Sequence, residues 1–286
     1  MDNTPLPNQG LPHMPNHSLP NPAASVEVTR EGPVTVVSLC RAGLRNAVDP
    51  ATALALYHAM LAFEADEAAA VAILTGTPEC FCAGFDLEVV AAGAAGEWLA
   101  QLHFGEDGRP PLGPMGPTRL SLSKPVIAAI AGPAVAGGME LALWCDLRVM
   151  EATAWMGVLC RRWGVPLVDG GTLRLPRLVG VGRAMDLVLT GRRVDADECH
   201  AIGLCDRLVD PGMALAAARE LALELSGLPQ ACLRSDRKAL RKASGMDDLA
   251  ALRAEFKSGL ASLEEAARAG AARFKAGAGR HGQPAG

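Results

Sequence analysis

The chain has 286 residues, a formal net charge of -4, and a composition that is 50% hydrophobic but only 4% aromatic. It is long enough to bury a sizeable core, which must be built mainly from Ala, Val and Leu. The charge reads as spread along the chain with no basic block, which argues against nucleic acid or an anionic membrane as the main partner.

Residues 1–24 are rich in Pro and Asn, include His13 and His17, and carry no apolar period, so a disordered extension is expected there. A hairpin-like pair follows, Val26–Thr29 and Val34–Leu39, joined at Glu31-Gly32-Pro33. After a loop with Arg45-Asn46-Ala47, Asp49-Pro50 opens a helix as N-cap and first-turn proline, with Leu54, Leu56, Tyr57, Met60 and Leu61 as its core stripe. Val71–Thr75 reads as a strand ending at Gly76. Residues 93–120 are rich in Gly and Pro, with Trp98, His103 and Phe104 among them, and read as a mobile segment lining a pocket.

From Gly170 the pattern turns mainly helical: helices near 171–179, 182–190, 195–202, 211–226 and 230–268, with a short strand at Arg207–Val209. Alternating strands and helices followed by helices give an α/β core with a helical C-terminal part. The tail string Gly277-Ala278-Gly279-Arg280-His281-Gly282 fits G-x-G-x-x-G, but no strand precedes it, so no dinucleotide site is expected.

Eight cysteines would form a disulfide framework only in an oxidising compartment. MDNTPLPNQG has neither a basic nor an apolar leader region, so free thiols and a cytoplasmic setting are expected. Cys80 and Cys82 form a C-x-C with no partner pair at zinc spacing, so no metal site is expected. Residues 126–144 are broken by Pro133, glycines and Glu140, which excludes a membrane span.

The stretch that organises the rest is Lys124–Arg148, KPVIAAIAGPAVAGGMELALWCDLR. A β-branched run, Val126–Ile130, turns through Ala136-Gly137-Gly138 into a helical pattern. Glycines at such a turn let a ligand approach the backbone, and the first amides of the helix can hold an oxygen on which negative charge grows. Glu140 lies one helical turn beyond Gly137. A carboxylate in an apolar run is paired or working, and an ion pair with Arg148 is the structural alternative.

This stretch resembles the enoyl-CoA hydratase/isomerase (crotonase) superfamily. Two further blocks carry the resemblance in the same order: Glu79–Leu87 (ECFCAGFDL), and Gly170–Gly180 followed by Leu189–Arg192. Together the three cover about residues 25–280. The resemblance implies a repeated ββα spiral core over 25–210 and a helical C-terminal region over 211–286 that forms trimers, often a dimer of trimers. It also implies an acyl-CoA substrate, with coenzyme A as part of that substrate and no further cofactor. The thioester carbonyl would be held by the backbone amides of Phe85 and Gly137. Arg45, Ala47, Ala83, Asp86 and Leu87 would contact the coenzyme A portion, with capping of the next helix as the alternative role for Asp86.

Hydratases of this kind use two glutamates. Glu140 matches the first, but with Gly157, Gly164 and Gly171-Thr172 in register the second falls on Cys160. Asp169 stands two positions before Gly171, where some isomerase and dehalogenase relatives place a working Asp. The expected constellation is therefore Glu140 and Asp169 over the Phe85/Gly137 amides, with an N-cap for the following helix as the alternative role of Asp169. Asp146 reads as structural. Arg161-Arg162 beside Trp163 reads as a place for an interface salt bridge, coenzyme A phosphates or an acidic substrate tail. The implied activity is that of an enoyl-CoA hydratase. Double-bond isomerisation through Asp169 and acyl-CoA binding without turnover are the alternatives.

Overall fold

The computed structural model describes residues 25–243 and 247–262. The expected N-terminal extension, the G-x-G-x-x-G tail string and the end of the helix expected to reach 268 lie outside the described residues.

The hairpin forms as β1 (Val26–Glu31) and β2 (Val34–Leu39), paired Val26 to Leu39 through Glu31 to Val34. Helix α1 (Pro50–Ala65) begins where expected: Asp49 accepts from Thr52 N at 2.8 Å, and Pro50 sits in the first turn. Its buried face is Thr52, Ala53, Leu56, Tyr57, Met60 and Phe63, while Leu54 and Leu61 pack half-buried beside it. Next come β3 (Val71–Thr75), α2 (Leu87–Ala91), α3 (Ala95–Leu99) and β4 (Val126–Ile130). Then follow β5 (Ala134–Val135), α4 (Gly137–Trp144), β6 (Leu147–Glu151) and β7 (Trp155–Gly157). The chain continues through α5 (Gly171–Val179), α6 (Val181–Thr190), β8 (Arg193–Asp195), α7 (Ala196–Ala201) and β9 (Arg207–Val209). It closes with α8 (Ala214–Ser226), α9 (Gln230–Ala243) and α10 (Asp248–Ser262).

Six strands form one sheet in the order β1-β2-β3-β4-β6-β9, parallel except for the first hairpin; β5-β7-β8 form a second, smaller sheet. The middle strands β2, β3 and β4 are buried on both faces, which is why they read as nearly unbroken apolar runs. Val34, Val36, Val71, Ile73, Ile127, Ala129 and Val149 face α8, whose Ala214, Ala218 and Ala222 let the helix lie close. Val37, Leu39, Ala72, Leu74, Ala128, Ile130 and Met150 face α1, α4 and the small sheet. The site lies between that second face and the small sheet.

Residues 93–120, expected as a mobile segment lining a pocket, hold a short helix, α3, and reach the site through Met115. Trp98 is buried with its Nε1 donating to Pro114 O at 3.2 Å. Tyr57 Oη also donates to Pro110 O, at 2.5 Å. The single helix expected over 230–268 is two helices, packed on each other; Asp247 Oδ1 accepts from Ala250 N at 3.1 Å and starts the second. Strands β5 to β8 were not anticipated, being short or interrupted by polar residues.

All eight cysteines are unpaired and six are buried. Among the described residues no cluster of His, Cys, Asp and Glu is suited to a metal ion, and no helix is long and apolar enough to cross a membrane.

Gly138 is where α4 lies against the Phe81–Leu87 block. A Cβ there would stand 2.1 Å from Cys82 O and 2.7 Å from Cys82 C, both backbone atoms that cannot swing away. Gly138→Ala is expected to cost ~3 kcal/mol, read as a lowered urea midpoint; a wild-type midpoint would refute this account of the packing.

Candidate active site

Three backbone segments meet at the site. Ala83 N donates to Arg45 O at 3.0 Å, Val48 N to Gly84 O at 2.8 Å and Asp86 N to Val48 O at 2.9 Å, joining residues 45–48 to 83–86. Phe81 N and Cys82 N donate to Pro133 O and Val135 N donates to Cys82 O, joining that block to the approach to α4. Asn46, fully buried, secures the corner: its Nδ2 donates to Cys80 O at 2.7 Å while its Oδ1 accepts from Arg41 N.

This weave sets the amides of Phe85 and Gly137 side by side. A Cβ on Gly84 would lie 3.0 Å from Gly137 N, and Gly84 takes a φ of +100° that favours glycine. Ala136, just before α4, has φ 54° and ψ -127°, a strained conformation for a residue with a Cβ, and its N–H donates to Gly157 O. The strain turns the start of α4 toward Gly84. Among the described residues neither Phe85 N–H nor Gly137 N–H donates a hydrogen bond. Two adjacent donors, one at a helix N-terminus, are the arrangement that stabilises an oxyanion.

Glu140, 2% exposed, sits in the first turn of α4. It is not paired with Arg148, whose guanidinium goes to Asp206 Oδ2 at 2.7 Å and to Leu204 O. Its Oε1 accepts from Gly171 N at 2.7 Å and Asp169 N at 2.9 Å, so the glutamate receives the first amide of α5. A Cβ on Gly171 would lie 2.9 Å from Oε1, so a side chain there would push the Glu140 carboxylate aside. Burial, and then the neighbouring Asp169 carboxylate, push the Glu140 carboxyl up to about 7 against the pull of those two amides.

Asp169 is also buried, at 4% exposure, and is not the N-cap of α5, a place taken by Gly170. Its Oδ1 accepts from Met115 N at 2.9 Å and from Thr118 Oγ1. Burial raises its carboxyl above the ordinary range, while the Thr118 and Met115 bonds and the charges of Arg119 and Arg174 pull it down. Arg174 ties the two sides together by donating to Asp169 O at 2.6 Å and to Thr118 O at 2.5 Å. Met115, fully buried, brings its Sδ within 2.8 Å of where a Cβ on Gly137 would stand, so its thioether packs against Gly137.

The structure thus brings Phe85, Gly137, Glu140 and Asp169 to one place. Arg45, Ala47, Ala83 and Leu87 lie along the adjoining rim, with Arg45 and Leu87 exposed. Asp86 turns inward: it accepts from Glu88 N as the N-cap of α2 and pairs with Arg41 at 3.3 Å, which is the capping alternative. Cys160 is buried, and burial followed by the Glu140 charge raises its thiol. Arg162 donates to Gly191 O and Trp163 is exposed, both in or near a short 3-10 turn. Asn46, Met115, Thr118 and Arg174 escaped the sequence reading. Their roles depend on contacts between segments distant in the chain, although Arg174 lies inside the Gly170–Gly180 block.

Residues 29–275 match the family model described as enoyl-CoA hydratase/isomerase. The chain is 39% identical over 203 residues to a carnitinyl-CoA dehydratase of Salmonella arizonae, covering 70% of this chain and 74% of that protein. It is 38% identical over 203 residues to a carnitinyl-CoA dehydratase of Salmonella typhi, with the same shares covered. An enoyl-CoA hydratase structure from Mycobacterium tuberculosis H37Rv superposes with a TM-score of 0.79 at 31% identity, over 88% of this chain and 96% of that one. One from Bacillus anthracis superposes with a TM-score of 0.79 at 29% identity, over the same shares.

The raised carboxyl of Glu140 has a consequence for stability. A carboxyl at 4.5 when unfolded and about 7 when folded opposes folding progressively as pH rises between those values, and fully above them. Glu140→Gln removes that term. It is expected to gain ~2 kcal/mol relative to wild type on going from pH 5 to pH 8, measured by urea midpoints at both pH values. An equal difference at the two pH values would show that the carboxyl is not held up.

Proposed function

The chain belongs to the enoyl-CoA hydratase/isomerase family, and we propose that it adds water to, or removes it from, the α,β double bond of an acyl-CoA thioester. The observation that carries the reading is Glu140: a buried carboxyl with one oxygen fixed, poised near neutral pH beside two N–H groups that have no acceptor among the described residues. In this reading the thioester oxygen lies on the amides of Phe85 and Gly137. Ionised Glu140 takes a proton from water as the hydroxyl adds to Cβ, and the electron pair of the double bond moves toward the thioester oxygen. Protonation of Cα from Asp169 or from Glu140 collapses the enolate. Dehydration is the same path reversed. A carboxyl titrating near 7 can serve in both directions, because both of its protonation states are populated.

The names of the relatives, carnitinyl-CoA dehydratase and enoyl-CoA hydratase, are consistent with this chemistry. Coenzyme A enters as part of the substrate and no other cofactor is proposed; it would rest on Arg45, Ala47, Ala83 and Leu87, with Asp86 supporting that rim from inside as the cap of α2. A cytoplasmic homotrimer, alone or as a dimer of trimers, is the assembly that goes with the family reading.

Cys160 favours a second reading. A thiol raised above its ordinary value stays protonated at neutral pH and cannot replace a second glutamate. Moving a double bond from β,γ to α,β needs only one base to carry a proton from Cα to Cγ, a task open to Asp169 or Glu140.

Paired assays separate the readings: loss of conjugated thioester absorbance from crotonyl-CoA, and its appearance from a 3-enoyl-CoA. Hydration is expected to dominate and to rise with pH through about 7 as Glu140 ionises. Isomerisation alone would install the second reading, and silence in both assays would refute catalysis of either kind. Glu140→Gln and Asp169→Asn are each expected to lower turnover by ~10²–10⁴-fold, whereas Cys160→Ala keeps most of it. Activity lost on Cys160→Ala and kept on Asp169→Asn would reverse the assignment.

A further inference from the structure

Thr118 is 1% exposed and lies in a 3-10 turn, Pro117–Arg119, ahead of β4. The segment leading into it is closed on itself and seated on α1. Gly113 N and Gly116 N each donate to the other's carbonyl at 2.9 Å. Gly116, at φ +89°, lies so near α1 that a Cβ would stand 2.3 Å from Ala53 O. Trp98 Nε1 holds the carbonyl of Pro114 within that turn. The approach to Thr118 is thus fixed by contacts that involve neither catalytic carboxyl.

Asp169 is fastened to this frame. Thr118 Oγ1 and Met115 N both donate to its Oδ1. Arg174 spans the backbone of both residues, giving one N–H to Asp169 O at 2.6 Å and another to Thr118 O at 2.5 Å. Residues 118 and 169 are therefore joined twice, and the two joints differ in what they control. Arg174 holds the segments together whatever the carboxyl does. The hydroxyl acts on the carboxyl itself: it has one proton to donate, and the β-branch of threonine limits the directions in which it can point. Gly113 leaves it room, since a Cβ there would stand 2.1 Å from Thr118 Oγ1.

Among the described residues Oδ2 of Asp169 accepts no hydrogen bond. The charges around the carboxyl are those of Glu140 on α4, Arg119 beside Thr118 and Arg174 on α5. Arg119 donates instead to His103 O and Leu112 O.

We propose that Thr118 is a positioning residue: with Met115 N it occupies Asp169 Oδ1 and fixes the plane of the carboxyl, so that Oδ2 is the oxygen that exchanges a proton with substrate Cα. The proposal rests on the role given to Asp169 above. In hydration the proton leaves Oδ2 for Cα, and its bonding electrons stay on the carboxylate; in dehydration it returns to Oδ2.

The test compares Thr118→Val, which keeps the shape and removes the hydroxyl, with Thr118→Ser, which retains a hydroxyl. In the crotonyl-CoA and 3-enoyl-CoA assays on the full-length protein, Thr118→Val is expected to lower kcat at least ~10-fold. KM and the calorimetric affinity for butanoyl-CoA should stay within ~2-fold of wild type, and Thr118→Ser should recover most of the lost kcat. In an Asp169→Asn background Thr118→Val should lower kcat little further. The carbon NMR signal of the Asp169 carboxyl, identified by its absence from Asp169→Asn, should titrate at higher pH in Thr118→Val, because the ionised form has lost a donor. Thr118→Ala also lacks the hydroxyl and serves in place of a valine variant that does not fold. An unchanged kcat, a loss that serine does not recover, a full second loss in the Asp169→Asn background or an unmoved carboxyl signal would each overturn the proposal. Wild-type protein silent with both thioesters would overturn the reaction and this role with it. An active wild type indifferent to Thr118→Val would overturn this role alone.

Discussion

Glu140 Oε1 accepts hydrogen bonds from the amides of Asp169 and Gly171, and the candidate site hangs on that junction. It fastens the first turn of α4 to the first turn of α5, two helices that approach from different parts of the chain. With residues 169–171 fixed, Arg174 meets Asp169 O and Thr118 O, and the Asp169 side chain meets Met115 N and Thr118 Oγ1. Residues 113–118 are thereby drawn against Gly137. A buried carboxylate in an apolar helix would be strongly unfavourable without partners. Two backbone donors at a helix N-terminus provide them and offset part of the desolvation, leaving the group poised rather than fully ionised.

The same junction explains why small residues recur here. A Cβ on Gly171 would push the Glu140 carboxylate aside, and Gly138 cannot carry one because Cys82 backbone occupies the space. Gly113 is held likewise: a Cβ there would stand 2.1 Å from Thr118 Oγ1 and 3.2 Å from Asp169 Oδ1. Side-chain volume was given up at these positions so that backbone amides and carboxylates could converge. The polar geometry of the site is thus bound to its packing and cannot be altered independently of it.

Much of this was legible in the sequence, because much of it is local. Asp49-Pro50 announces α1, the apolar runs of β2, β3 and β4 announce a sheet covered on both faces, and Ala136-Gly137-Gly138 announces a strand-to-helix turn with a free amide. What was not legible depends on distant partners. Asp169 reads from the sequence as a partner of Glu140, with an N-cap as the alternative; Gly170 holds the cap, and the partners of the carboxylate, Met115 and Thr118, lie more than fifty residues earlier where no local pattern marks them. Residues 93–120 resembled a loop by composition, yet Trp98 and Tyr57 pin them to the body through carbonyls that no local pattern marks. The basic face of α9 was missed for another reason. Arg234, Arg237, Lys238, Arg241 and Lys242 alternate with other residue types in the chain, and the helical period alone gathers them toward one cleft.

Two buried carboxyls meet at the site, and this bears on what kind of chemistry the pocket can run. The charge of Asp169 repels that of Glu140, and it does so while one Asp169 oxygen is fixed by Met115 and Thr118. Such a pair titrates as a unit, so proton transfer at the site belongs to the two groups together rather than to either residue alone. A Glu140 carboxyl held at about 7 has both protonation states populated at neutral pH.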